Sequence, residues 1–164
     1  MTHGDRLWAP WRTQFLMRPK VGRCIFCVAK QSAADRQHHV IARETRIFAL
    51  LNRYPYNNGH LMVAPYRHVG TLEALQAVEW SQMLQLVQRL TKRLSVALKP
   101  HGFNVGLNLG RTAGAGIPGH LHMHVVPRWN GDTNFMPVLA NTKVISQSLD
   151  ELYTLLTASR SAAS

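Results

Sequence analysis

Acidic residues are scarce in this chain. Eight Asp and Glu stand against nineteen Lys and Arg in 164 residues, a formal charge of +11 with the histidines neutral. Such a chain attracts polyanions, so nucleotides, polyphosphates and nucleic acids are all candidate partners, although charge alone favours a solvated basic surface without a specific one. No block of five or more consecutive basic residues occurs, which speaks against a nucleic-acid-binding tail. Cysteine is nearly absent, with only Cys24 and Cys27. Two thiols in C-x-x-C spacing make no disulfide framework and suit a reducing cytoplasm. Nothing approaches the ~18 consecutive apolar residues of a membrane span. Asp5, Arg6 and Arg12 interrupt the N-terminus around Trp8 and Trp11, so no secretory signal is expected. With 46% hydrophobic residues, the expectation is one cytoplasmic globular domain with a core of ordinary size.

Histidine is the residue present in pattern. His120-Leu121-His122-Met123-His124-Val125 alternates three imidazoles with apolar side chains. On a strand, alternation puts the imidazoles on one face and Leu121, Met123 and Val125 on the other. Three imidazoles on one rigid element can bind metal, relay protons or attack an electrophile. Upstream, Gly110 to Gly119 is a glycine-rich loop whose amides, those of Ala115 and Gly116 among them, could meet a phosphate. Downstream, Val126-Pro127-Arg128 is read as the end of the strand.

The remaining pattern predicts an α+β domain. Strands are expected over Val40–Arg43, Ile47–Leu51, His60–Pro65, Phe103–Leu109 and His120–Val126, mostly antiparallel. A long helix is expected over Leu72–Leu98, capped by Thr71, with Met83, Val87, Leu90, Leu94 and Ala97 on its buried face. Lys99-Pro100-His101-Gly102 ends it. Ser148 with Glu151 forms a capping box for a short C-terminal helix. Residues 1–23 are read as a basic arm, 24–158 as the domain, and 159–164 as a frayed tail.

The triad and its surroundings resemble the histidine triad (HIT) superfamily of nucleotide hydrolases and transferases, whose signature is His-x-His-x-His followed by two apolar residues. The resemblance spans roughly Leu7 to Leu156. Leu7-Trp8-Ala9-Pro10-Trp11-Arg12, Cys24-Ile25-Phe26-Cys27 and Trp129-Asn130-Gly131-Asp132 look most like the bacterial branch that includes diadenosine tetraphosphate phosphorylases. It implies a five-stranded HIT-like domain, often a homodimer with joined sheets. It implies His122 as the nucleophile that forms a nucleotidyl-histidine, with His120 and His124 contacting phosphate or leaving group. His60, behind Gly59, falls where the family places a supporting histidine; a lone strand histidine is otherwise a core residue. Asn52 falls at a ribose-binding position. Gly116 stands where many of the hydrolases carry glutamine, which leaves room for inorganic phosphate as acceptor in place of water. The implied substrate is a nucleotide, and water acting on dinucleoside polyphosphates or phosphoramidates is the alternative. A non-catalytic nucleotide-binding module is the alternative of another class.

Cys24 and Cys27 have zinc-compatible spacing but supply only two ligands. The resemblance points to His68 and His120 as the others, in a structural Cys₂His₂ zinc site; free thiols or a redox pair are the alternatives. No organic cofactor is implied. Phe26 and Leu50 either flank a base or fill ordinary core. Asn108 either donates to a phosphate or shapes a turn. Trp129 either stacks on a base or packs at a dimer edge.

Overall fold

The structure is a computed structural model that describes residues 24–132 and 145–158. The expected basic arm and frayed tail, and the segment after Asp132, lie outside these residues. The described elements are α1 (Ile25–Gln31), α2 (Asp35–His38), β1 (Val40–Arg43), β2 (Ile47–Leu51), β3 (Leu61–Pro65), α3 (Ala77–Leu98), β4 (Gly102–Leu107), β5 (Met123–Arg128) and α4 (Leu149–Ala158). The strands form one wholly antiparallel sheet in the order β1-β2-β3-β5-β4.

The sheet is covered on both sides, which explains why β2 and β3 read as continuous apolar runs and not as alternating ones. On one face Ile47, Ala49, Leu51, Leu61, Val63, Met123 and Val125 pack against Met83, Leu86, Val87, Leu90 and Leu94 of α3 and Leu152 and Leu156 of α4. On the other, Phe48, Leu50, Met62 and Ala64 meet Phe26 and Ala29 of α1. His60, His122 and His124 are in phase with this second face. Gly59 begins the approach to it with φ +73, and a Cβ there would lie 2.6 Å from Leu98 Cδ1. Only glycine combines that backbone with that closeness.

Several boundaries differ from expectation; β3 starts at Leu61 and not His60, and β4 spans Gly102–Leu107 and not Phe103–Leu109. The long helix starts at Ala77, five residues after Leu72, because Gln76 and Glu79 form the capping box. Glu79 is buried and its carboxylate also takes Arg67 Nε at 2.8 Å and Nη2 at 2.6 Å. That pair fixes the helix start more strongly than Thr71 can. Strand β5 starts at Met123, not His120. Its ladder with β3 stops at Val63↔Met123, and continuing it would bring Leu121 opposite Pro65, which has no N–H to give. The strand also runs on through Pro127 to Arg128. Pro127 is tolerated because the β3 ladder has already ended at Leu61↔Val125, and its carbonyl accepts from Asn57 Nδ2 at 3.2 Å instead. Helices α1 and α2, of seven and four residues, are too short to show a period in sequence.

The Arg67 guanidinium holds the Glu79 carboxyl below the usual carboxylate range. A depressed folded-state pKa adds stability above the unfolded value, and that stability is lost as pH falls through the folded one. Glu79→Gln is therefore expected to lower Tm at neutral pH by several degrees, on the scale of ~1–2 kcal/mol for a weakened cap. The gap from wild type should narrow as pH falls below about 4. Thermal melts of both proteins from pH 7 to pH 3 check this, and a pH-independent gap would exclude the ionic origin.

Candidate active site and metal centre

The three triad imidazoles keep to one side of the chain although only His124 is inside β5. His120 and His122 sit in the loop leading to it, with His120 N–H donating to Ile117 O and Leu121 N–H to Val69 O. The His122 and His124 rings are 4.9 Å apart, and the Phe26 ring lies 4.9 Å from each of His120 and His122. His120 is fully buried, His122 is 6% exposed, and His124 is half-buried at the open end.

Their hydrogen bonds decide the tautomers, because backbone groups have fixed donor and acceptor roles. His122 Nδ1 lies 2.8 Å from the His120 carbonyl, so Nδ1 carries the proton and Nε2 keeps a lone pair. Burial pushes the His122 pKa down, partly opposed by that bond, which keeps the ring neutral. A second chain of bonds starts at Tyr56, whose backbone N–H donates to His60 Nδ1 at 3.0 Å. His60 must then carry its proton on Nε2, which faces His124 Nδ1 at 2.9 Å. That leaves His124 protonated on Nε2; Asn108 Nδ2, 3.5 Å away, is also a donor, so a bond between the two needs the amide turned to present Oδ1. The site thus pairs a bare imidazole nitrogen on His122 with a neighbouring N–H donor on His124.

Tyr56 had no signal in the sequence beyond a turn. Its ring stacks on His60 at 4.8 Å and 17° and meets His124 edge-on at 5.8 Å. Asn52, expected at ribose, is turned inward. Its Oδ1 accepts from Tyr54 N–H at 2.9 Å and its Nδ2 lies 3.4 Å from His60 Nδ1. Phe26 has no exposed surface and Leu50 only 5%, and both pack in the cluster on the α1 side of the sheet. The Ala115 amide is spent on Gly110 O at 3.2 Å and that of Gly114 on Arg111 O at 2.9 Å. Gly116 is half-buried in the same loop. Trp129 lies beyond the end of β5, five residues from His124. Its backbone N–H donates to Asp132 Oδ2 at 3.2 Å. A cavity lined by Leu51, Asn52, Gly59, His60, Gln147 and Leu152 touches none of the triad imidazoles, and we do not place the chemistry there.

On the other side of His120 four ligand-bearing residues meet. One ligand atom each from Cys24, Cys27, His68 and His120 lie within 4.8 Å of one another. His120 Nδ1 is 3.4 Å from Cys24 Sγ, 3.7 Å from Cys27 Sγ and 3.2 Å from His68 Nδ1, and Cys27 Sγ is 3.2 Å from His68 Nδ1. Metal bonds of ~2.3 Å to sulfur and ~2.05 Å to nitrogen put tetrahedral ligands about 3.3–3.8 Å apart. The donor set therefore fits one tetrahedral ion. His120 Nε2 donates to Pro65 O at 2.8 Å, which leaves Nδ1 unprotonated towards the cluster. Burial brings the His120 pKa down to about 4.

Comparison with known proteins agrees with this architecture. A HIT domain matches residues 33–131. An AP-4-A phosphorylase of Mycobacterium tuberculosis is 42% identical over 160 residues, 93% of this chain and 82% of that protein. An adenosine 5′-monophosphoramidase of Schizosaccharomyces pombe is 32% identical over 107 residues, 65% of this chain and 75% of that one. A zinc-bound histidine triad family protein from Mycobacterium smegmatis superposes with a TM-score of 0.67 at 26% identity, covering 85% of this chain and 94% of its own. The chain belongs to the HIT family.

Nitrogen NMR of protein labelled in histidine side chains is expected to show, at neutral pH, the Nδ1–H form for His122 and the Nε2–H form for His60 and His124. A His124 ring protonated on Nδ1 would break the chain of donors that begins at Tyr56.

Proposed function

We propose that this protein is a nucleotidyl transferase that cleaves diadenosine tetraphosphate by phosphorolysis, working as a homodimer in the cytoplasm. The observation that carries this reading is the Nε2 lone pair of His122, bared by the Nδ1–H bond to the His120 carbonyl. The 42% identity to a phosphorylase supports the substrate and acceptor. His122 Nε2 attacks the α-phosphorus of one adenosine. The bond from that phosphorus to the bridging oxygen breaks, and adenosine triphosphate leaves with the electron pair. The His124 Nε2–H is placed to hydrogen-bond the departing oxygen, with His60 and Asn52 holding its tautomer. An inorganic phosphate oxygen then displaces His122 from the adenylyl group, giving adenosine diphosphate and restoring the imidazole. Splitting one substitution into two lets a single nucleophile serve both halves. Asn108, next to His124 at the rim, is a candidate for a phosphate oxygen. Gly116 leaves the space that a glutamine side chain would take.

The Cys24, Cys27, His68 and His120 centre is read as a structural zinc site, which would tie α1 to the triad loop and supply folding stability. The exposed Asn104, Val105 and Gly106 of the edge strand β4 support joining of two sheets in the dimer. No helix of the described residues is long and apolar enough to cross a membrane.

His122→Ala is expected to slow turnover by at least ~1,000-fold, about 4 kcal/mol in barrier, with nucleotide affinity nearly unchanged. Retention of activity within about tenfold would exclude the covalent route. Raising inorganic phosphate should shift wild-type product from adenosine monophosphate to diphosphate, and Gly116→Gln should weaken that shift. Only monophosphate, at a rate indifferent to phosphate, would make the protein a hydrolase.

Metal analysis should return about one zinc per chain. Cys24→Ser should lower zinc content and Tm together. A wild-type protein free of metal, with a Tm unmoved by chelator, would return His120 wholly to the active site.

A further inference from the structure

Phe26 sits between the two cysteines of the metal cluster and also against the candidate nucleophile. It is the second residue of α1, which starts directly after Cys24 and makes no side-chain N-cap bond. A seven-residue helix without a cap does not hold itself in water. Its placement depends on what its ends are tied to. Cys24 and Cys27 tie its start; further along, Phe26 and Ala29 are buried, Arg43 Nη2 donates to Ala29 O at 2.8 Å and Lys30 Nζ to Tyr66 O at 2.6 Å.

The Phe26 ring divides its contact evenly. It lies 4.9 Å from His120 at 36° and 4.9 Å from His122 at 37°, and it meets Phe48 edge-on at 6.3 Å. The His122 imidazole is thus held in two ways. Its Nδ1–H is bonded to the His120 carbonyl, and one ring face is packed on Phe26. Both supports lead to the metal cluster. His120 offers its own Nδ1 to it, and Phe26 is carried on the backbone between two of the thiols. When four ligands close on one ion, the tilt of α1 and the place of the His120 carbonyl are set together. Without it, two thiols and two imidazoles have no common centre, and the first turn of α1, which carries Phe26, loses its tie while Arg43 and Lys30 still hold the far end.

We propose that Phe26 is a positioning residue that couples occupancy of the metal centre to the orientation of His122. It holds the imidazole in the rotamer that aims Nε2 at phosphorus, so that loading the centre and aligning the nucleophile are one event. The proposal rests on the reading of His122 and of the metal centre given above. It adds a role for the aromatic side chain and a functional consequence for a site otherwise read as structural.

The experiment compares wild type, Phe26→Leu and Phe26→Ala, each zinc-loaded and chelator-stripped. Phe26→Leu and Phe26→Ala are expected to keep about one zinc per chain, and transfer is read at saturating nucleotide so that any change in binding does not enter the rate. Single-turnover adenylyl transfer should fall by ~10–100-fold, and the His122 side-chain nitrogen signals should shift or broaden. Stripping wild type should produce the same spectral change and a similar rate loss, both reversed by added Zn²⁺. In Phe26→Ala, stripping should add little further loss, because the coupling has already been removed; effects that simply multiply would show two independent contributions. Unchanged His122 signals on stripping wild type would overturn the proposal, whatever the variants do. A stripped protein that unfolds outright would also overturn it, since the metal would then hold the whole domain and not this contact. If Phe26→Ala loses zinc, Phe26→Leu and the wild-type spectra decide. A His122→Ala protein that still turns over would sink the covalent reading, while the spectral response of His122 to zinc would remain a separate result.

Discussion

The arrangement depends on one residue used in three directions, two by its ring and one by its backbone carbonyl. His120 gives its Nε2–H to Pro65 O, turns a bare Nδ1 towards Cys24, Cys27 and His68, and offers its backbone oxygen to His122 Nδ1. The first bond decides the tautomer, and the tautomer decides the second. A His120 ring protonated on Nδ1 could not serve a metal and would leave the Pro65 carbonyl, at the end of a fully buried strand, without this donor. The third bond carries the order to the nucleophile, because a carbonyl can only accept and so places the His122 proton away from Nε2. Burial reinforces both rings by disfavouring the imidazolium form.

The sheet was readable because its strands are short apolar runs bounded by turn residues. Val40–Arg43 and Ile47–Leu51 fall where the pattern places them. So does the buried stripe of the long helix, where Met83, Val87, Leu90 and Leu94 face the core. What local pattern could not show were contacts that reach across the sequence. The helix start moved to Ala77 because Arg67, twelve residues before Glu79, shares its carboxylate. The triad strand started late because Pro65, on a neighbouring strand, has no amide to extend the ladder. A period of two is a statement about one chain segment, and a ladder needs a donor on the other.

The site divides in the same way. The three histidines announced themselves by alternation, and the cysteine pair by spacing. The roles of Asn52 and Tyr56 did not. An asparagine after an apolar run looks suited to a ribose, yet its amide is turned towards His60 and Tyr54. Tyr56 looked like part of a turn, and it is one, but that turn aims its amide at His60 and lays its ring over the imidazole. Phe26 was visible as a large apolar residue between two cysteines, suited to a base or to the core. Its contact with His122 arises because the triad loop folds back over α1, which no spacing within residues 24–27 encodes.

The charge balance gains meaning from where the acidic residues are spent. Asp35, Glu44, Glu79 and Asp132 each pair with an arginine, and each pair ties distinct elements or turns a loop. Exposed Arg53, beyond Asn52, and exposed Arg111, in the glycine-rich loop, are in no ion pair among the described residues. The surplus of cations gives a long-range field of the sign that attracts polyanions, while burial disfavours the charged form of His120 and His122. The separation is chemically necessary. A cationic group in contact with His122 would lower its basicity as well as attract the substrate, and a protonated imidazole has no electron pair to give. On the proposed reading of His122 as the nucleophile, attraction at a distance and neutrality at the point of attack let one basic chain gather an anion without disarming that imidazole.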